Sequence, residues 1–360
     1  MTELIRYLIL IDKNQTEKNH ISMRFSQSAH HRHFRYAALY VLCTLMHISD
    51  AQAQTGTTGY EFLNIPVSAH SAALGGNNVS IVEDDVTLLF TNPALLANVS
   101  DKTLNFNYSN YMSSSSFLSA SFAKQVGERG TAAIGARVLS YGNMKETTAD
   151  FQTVGEFKAT DIAVQGGYTY LFTDYWTGGV QAKVLLNNYG NFKSTALAVD
   201  LGINYFDADH GFSLSAVAQN LGGEVKTLED TRRKLPFDLA LAFSKDFANA
   251  PIRVSITLHD LTHWNKDYYS LPSGDTSMSG SKLFFNHFII GADIFPSSQT
   301  WIAIGYNARR AYEMQVNDKS HWAGLTLGGG IAIKKMKIGL AWGKYHIASS
   351  SLTANLSYSF

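Results

Sequence analysis

The chain has 360 residues, with 29 Lys+Arg set against 29 Asp+Glu. That neutrality excludes a general polyanion binder, whose affinity rests on an excess of basic charge. Charged residues make up 16%, below the roughly 25% of an ordinary soluble domain, and no apolar run reaches the roughly 20 residues of a membrane helix. Length alone admits two or three domains or one large β-barrel.

The chain opens on an address. Residues 36–48 form an apolar stretch preceded by Arg24, Arg32 and Arg35 and followed by Ala51-Gln52-Ala53. A basic flank, a short apolar core and an A-x-A site predict a secretory signal peptide cleaved after Ala53. The predicted organisation is an upstream extension over 1–22, a signal peptide over 23–53, a plug segment over 54–102 and a barrel over 103–360. Met23 starts a leader of ordinary length, which is why 1–22 reads as an extension from a misassigned start. Cys43 is the single cysteine and lies inside the leader. The residues before it, Tyr40-Val41-Leu42, are not the small ones that lipidation needs. The mature chain therefore has no disulfide, no thiolate nucleophile and no zinc-thiolate site.

Between leader and barrel, Thr55 to Asp101 is rich in small residues and lacks strict alternation. Asn92-Pro93 favours a turn, and the segment reads as a plug in the mouth or bore.

From Thr103 onward the pattern has period two. Leu104, Phe106 and Tyr108 alternate with Asn105, Asn107 and Ser109; Leu197, Val199, Leu201 and Ile203 alternate with Ala198, Asp200, Gly202 and Asn204. Such alternation predicts strands with one apolar face. Fourteen segments follow this rule, centred near 107, 120, 136, 165, 181, 200, 216, 240, 256, 289, 304, 328, 341 and 355. Their connections alternate in length. Thr173-Asp174, Asp207 to His210, Asp246 to Ala250, Pro296 to Gln299 and Lys334-Lys335 read as turns. Gly142 to Lys158, Gly222 to Lys234, Leu261 to Lys282 and Arg310 to His321 read as long loops. An even strand number with turns at one end and loops at the other predicts an all-β, transmembrane antiparallel barrel of about 14 strands in the outer membrane, its long loops facing the cell surface. The final Leu352, Ala354, Leu356, Tyr358 and Phe360 alternate to an aromatic terminus, and Tyr108, Tyr111, Tyr168, Tyr170, Trp176, Tyr205, Phe206, Phe295 and Trp301 stand near strand ends, where aromatic girdles belong.

The rival is a secreted sandwich or lipocalin-like barrel with the apolar face packed inward. The second face decides between them. Arg137, Asp161, Lys183, Asp200, Asp238, Arg253 and Asp293, with His259 and His287, recur on it. A fourteen-stranded bore is too wide for aliphatic side chains to fill, so the apolar face belongs to lipid and these charges to a lumen network.

The motifs then carry a resemblance. Gly59-Tyr-Glu-Phe-Leu-Asn, Ala73-Leu-Gly-Gly-Asn, Asp84-Asp85, Asn92-Pro-Ala-Leu-Leu, Gln219-Asn-Leu-Gly and Leu235-Pro-Phe, in this order, resemble the PorQ/PorV-type outer-membrane barrels of the type IX secretion system in the Bacteroidota, within the fatty-acid-transporter-like superfamily. The resemblance runs across essentially the whole mature chain and assigns no functional residue. It implies a non-enzymatic barrel that holds the surface protein PorZ and, through it, the attachment complex with PorU and PorV, which processes exported proteins and fixes them to lipopolysaccharide. The alternative is a fatty-acid-transporter-like channel for small hydrophobic compounds, or a shuttle barrel of the PorV type.

Signals for chemistry are thin. His259, Asp260 and His263 stand near Ser273, Ser277, Ser279 and Ser281, but without a Gly-x-Ser-x-Gly elbow, and strict alternation puts His259 and Asp260 on opposite faces. The same three residues lack the i, i+4 spacing of a helical metal site. Gly222-Gly223 and Gly328-Gly329-Gly330 lack the Gly-Lys-Ser/Thr ending of a phosphate loop and read as places of curvature or close plug approach. No catalytic residue, metal or cofactor is expected. Partner contact is expected from loop aromatics, Trp264, Tyr268, Tyr269, Tyr312 and Trp322, and from Arg232 and Arg233, whose run reads as a solvated loop cluster or a lipopolysaccharide phosphate contact.

Overall fold

The computed structural model describes residues 59–112, 114–147, 150, 152–227, 232–266, 269, 279–313, 322–344 and 350–360. The predicted extension and signal peptide, with the first residues of the predicted plug, lie outside the described residues, as does Tyr268.

Fourteen antiparallel strands close on themselves, each pairing with its sequence neighbours and β1 (Thr103–Asn110) with β14 (Ser351–Ser359). Thr103 faces Ser359 and Asn110 faces Leu352 across the closure. In chain order the others are β2 (Ser116–Val126), β3 (Gly130–Thr147), β4 (Thr153–Leu171), β5 (Trp176–Tyr189), β6 (Phe192–Asp207), β7 (Phe212–Lys226), β8 (Asp238–Asp246), β9 (Ile252–Leu258), β10 (Phe288–Ser297), β11 (Thr300–Asn307), β12 (Leu325–Ile333) and β13 (Met336–Gly343). This is the outer-membrane barrel architecture the alternation predicts. Among the described residues no helix is long and apolar enough to cross a membrane, whereas a barrel crosses with strands.

Burial follows the pleat with the sign opposite to that of a soluble protein. Phe106, Ile134, Val164, Leu201, Ile304 and Leu340 point outward and are exposed, while Asn105, Asn107, Arg137, Asp161, Gln165 and Asp200 point inward and are buried. A soluble barrel would reverse that order. The charges expected in the lumen thus all lie on the inner face: Arg137, Asp161, Lys183, Asp200, Asp238, Arg253 and Asp293 are buried.

The connections keep their parity with three differences. β3 and β4 extend to Thr147 and from Thr153, so most of the predicted Gly142–Lys158 loop is a paired hairpin, entered through a register shift between Ser140 and Asn143. Lys145, Glu146 and Glu156 hide its alternation, because both faces of that hairpin meet solvent. Similarly, β7 continues to Lys226 inside the predicted Gly222–Lys234 loop. At the same end, β5 and β6 are joined by Gly190 and Asn191 alone, with Gly190 at φ 62°.

Residues 59–102 occupy the bore as a string of short turns. A helix over Ala69–Ala73 is capped by Ser68, whose Oγ accepts from the Ser71 N–H at 3.1 Å. Tight 3₁₀ turns over Val86–Phe90 and Pro93–Asn98 are capped by Asp85 and Asn92 in the same way, at 2.9 and 3.0 Å. Their apolar residues, Leu74, Ile81, Leu89, Leu95 and Leu96 among them, are fully buried and form the core the bore would otherwise lack.

The plug backbone touches the wall where the wall has no side chain. A Cβ at Gly179 would stand 2.4 Å from the Ala94 nitrogen, and one at Gly305 would stand 2.2 Å from the Gly75 nitrogen. Gly328 likewise faces Ala73, but Gly222 meets only its neighbouring strand and Gly223 meets open space, so the plug does not explain that pair. Four girdle assignments also change: Phe295 and Trp301 share the inner parity of Asp293 and Ala303 and pack on Arg253 and His70 instead of lipid, Tyr111 packs on the plug core, and Phe206 has the inner parity of Asn204. Replacing Gly179 by Val must displace the plug backbone. We expect a loss of about 2 kcal/mol or more, as for overpacked cores, read as a lower temperature for loss of the compact band in heat-dependent gel mobility.

Candidate functional site

The lumen charges do not form one network. They divide into clusters: the plug completes those of Arg253–Asp293, Arg137 and Lys337, while Lys183–Asp200 and Asp161 are satisfied by other wall residues. Arg253 and Asp293 sit opposite each other on β9 and β10, with Nε donating to Oδ2 at 2.8 Å. The other carboxylate oxygen, Oδ1, is 2.7 Å from His70 Nε2, and His70 Nδ1 is 2.7 Å from Glu83 Oε2. Trp301 stacks on the imidazole at 4.2 Å. Burial works against a charged imidazole here, but Glu83 and then Asp293 outweigh it and push His70 up to about 10. His70 is therefore a cation held between two carboxylates, fastening the plug helix to the wall.

Lys183 pairs with Asp200 at 2.6 Å and donates to Asn220 Oδ1 at 2.7 Å, while Gln181 donates to Asp200 at 2.7 Å. Arg137 donates through Nη1 to the Leu63 carbonyl at 2.9 Å and lies over the Phe90 ring at 5.5 Å. Asp161 accepts from Tyr141 and Tyr189 at 2.6 and 2.7 Å. Near the short turns, Lys337 pairs with Asp84 at 2.7 Å.

A cavity of about 270 Å³ lies towards the long-loop end, between plug and wall. Its apolar side is Leu63, Ile65, Val67, Phe90 and Ile289; its polar side includes Arg137, Lys183, Asp238, His259, Asp260 and Arg309. Beside it the chain leaves β9 through Asp260, which has φ 57°. That left-handed residue breaks the strand's alternation, so His259 and Asp260 are both buried instead of opposed. The Asp260 N–H donates to Asp238 Oδ1 at 2.6 Å, and its carboxylate accepts from Tyr269 at 3.0 Å and Arg309 at 3.2 Å and contacts His263. Burial, with the Arg309 charge behind it, pushes His259 down to about 3, so it is a neutral imidazole. Among the described residues no group of three or more His, Cys, Asp or Glu is placed to hold a metal ion.

The loop residues singled out from the sequence separate into two sets. Trp264, Trp322 and Arg232 are exposed near the long-loop rim, and Tyr312 is half-buried. Tyr269, by contrast, is buried, its hydroxyl on Asp260 and its ring under Arg309 at 5.1 Å. Arg233 is tied inward to Glu224 at 2.8 Å and Ser194 at 2.7 Å, and lies over Tyr60 at 5.0 Å. Both were expected to project outward. Sequence reading missed His70, Glu83 and Arg309. A lone histidine in a run of small residues, His70, was the available signal for the first.

No protein-family model matches the sequence, and no curated protein matches it. Solved structures do match in fold. The Pseudomonas putida toluene transporter TodX superposes with a TM-score of 0.51 at 13% identity, over 82% of this chain and 98% of its own. The monoaromatic hydrocarbon channel CymD gives 0.55 at 12%, over 82% and 98%. A Pseudomonas aeruginosa FadL homologue gives 0.50 at 11%, over 82% and 99%. The fold is that of the FadL-like outer-membrane barrels.

His70→Ala leaves Asp293 and Glu83 facing each other without the cation between them. A broken buried pair of this kind costs about 3 kcal/mol or more, which heat-dependent gel mobility and plug proteolysis will register. The pH dependence has a defined sign. His70 is raised above its unfolded value, so its contribution is complete below about pH 6.5 and declines as pH climbs towards 10. Melting of the wild type should fall across that interval, and the difference from His70→Ala should shrink with it.

Proposed function

We propose that this chain is a non-enzymatic outer-membrane barrel that acts as a rigid anchor for a surface partner, its long loops facing the cell surface. The observation that carries this is the bore. From Tyr60 to Asp84 the plug is tied to the wall by buried and half-buried ion pairs and hydrogen bonds, and the cavity above it is lined by Arg137, Lys183, Asp238, Asp260 and Arg309. An apolar molecule placed there would displace water from those charged groups and offer them no hydrogen bond in return. A fastened plug suits a platform, and exposed Trp264, Trp322 and Arg232 sit where a partner would meet it. The resemblance of the plug motifs to PorQ/PorV-type barrels points the same way and names the partner class: PorZ and, through it, PorU and PorV of the attachment complex, with lipopolysaccharide nearby.

The comparisons favour a second reading. The fold likeness to a toluene transporter and a monoaromatic hydrocarbon channel supports a channel for small hydrophobic compounds, and Leu63, Ile65, Val67, Phe90 and Ile289 give the cavity an apolar side. One fold hosts many functions, so the site must decide.

Purification of a tagged chain from native outer membranes in mild detergent separates the two. Co-purification of one large surface protein near equal stoichiometry supports the anchor. A barrel that emerges alone, carrying lipid or a hydrophobic ligand, supports the channel.

A further inference from the structure

The wall is not equally tall all round. β3 and β4 have 18 and 19 residues, whereas β9 has 7. Those 7 residues, rising about 3.4 Å each and tilted by about 40°, cover roughly 18 Å, against an apolar band about 25 Å tall. β9 is the shortest strand of the wall, and its pairing runs on only to His259 and Leu261.

The long connection after β9 supplies what lies there. It ends in a short helix, Gly280–Asn286, that leads directly into β10. Leu283 and Asn286 are buried on its inner side, while Phe284 and Phe285 are 48% and 52% exposed. Their rings meet each other at 5.5 Å and meet Phe288 at 5.1 and 6.1 Å. Phe288 opens β10 and shares the parity of Ile290 and Ile294, which point outward and are exposed. The aromatic cluster is thus continuous with the lipid-facing side of the barrel, at the edge where β9 stops.

We propose that the helix Gly280–Asn286 is an interfacial lipid-binding element, with Phe284 and Phe285 inserted at the boundary between headgroups and acyl chains. Lys282, exposed on the same helix, stands at headgroup level. Short segments that set aromatic residues at the acyl boundary with a flanking Lys at the headgroups take this position in bilayers. The occupant of the patch is lipid, because the patch prolongs a lipid-facing surface; a protein partner is better served by the rim residues Trp264 and Trp322.

The test uses the full chain in phosphatidylcholine–phosphatidylglycerol vesicles. A Cys43→Ser background leaves no native cysteine, so Phe285→Cys and, separately, Phe284→Cys can carry an environment-sensitive fluorophore. Val154→Cys, on the tall β3–β4 hairpin, serves as the aqueous control, and heat-dependent gel mobility verifies that each variant is folded. The expected result is blue-shifted emission, quenched about twofold or more by lipids spin-labelled at the top of the acyl chain and barely by iodide. Iodide quenching equal to that of the control overturns the proposal, since the patch then faces water. Protection from both quenchers also overturns it, since the patch is then covered by protein.

Discussion

A bore closed by fourteen strands is too wide for its own side chains to fill, and the structure follows from how that space is occupied. The wall cannot bring its apolar face inward, because lipid takes it. Short turns of residues 59–102 therefore supply both the missing core and the partners for charges that the plug itself takes out of water. Arg253–Asp293 is completed by His70, and Arg137 by the Leu63 carbonyl. Unpaired charges in such a place would cost several kcal/mol each. Plug and wall are in this sense one folding unit, in which neither charge set is tolerable without the other.

That arrangement also frames the functional choice. Shared fold with hydrocarbon channels shows how the chain is built, while the chemistry of the bore concerns what it can accept. A polar cavity with a fastened floor suits a scaffold, and the apolar strip along Phe90 and Ile289 suits a channel. The two roles ask different things of the plug. A channel needs it to yield, and an anchor gains from its stiffness.

Much of the barrel was legible because membrane strands obey one short-range rule. Alternation reports facing direction residue by residue, so Arg137, Lys183 and Asp293 could be placed inside from sequence alone. The rule fails wherever both faces meet the same medium. The β3–β4 hairpin projects into solvent on both sides, and its Lys145 and Glu156 erase the pattern. It fails again where one residue leaves the extended region, as at Asp260, which brings His259 and Asp260 to the same side. Tyr269 and Arg233 looked outward because loop position says nothing about distant partners, here Asp260 and Glu224. The plug contacts were less accessible still, since His70 and Asp293 are separated by 223 residues.

The plug's anchoring points have a consequence for assembly. Its Ala69–Ala73 helix packs on β11 to β14, and its Pro93–Asn98 turn packs on β3 to β6. Although synthesised before every strand, it can complete its contacts only after the last strands exist. Until β11 to β14 have formed, the Ala69–Ala73 helix has no wall to cover it, so its burial comes with closure of the ring. A helix made before every strand is thus among the last elements to be buried.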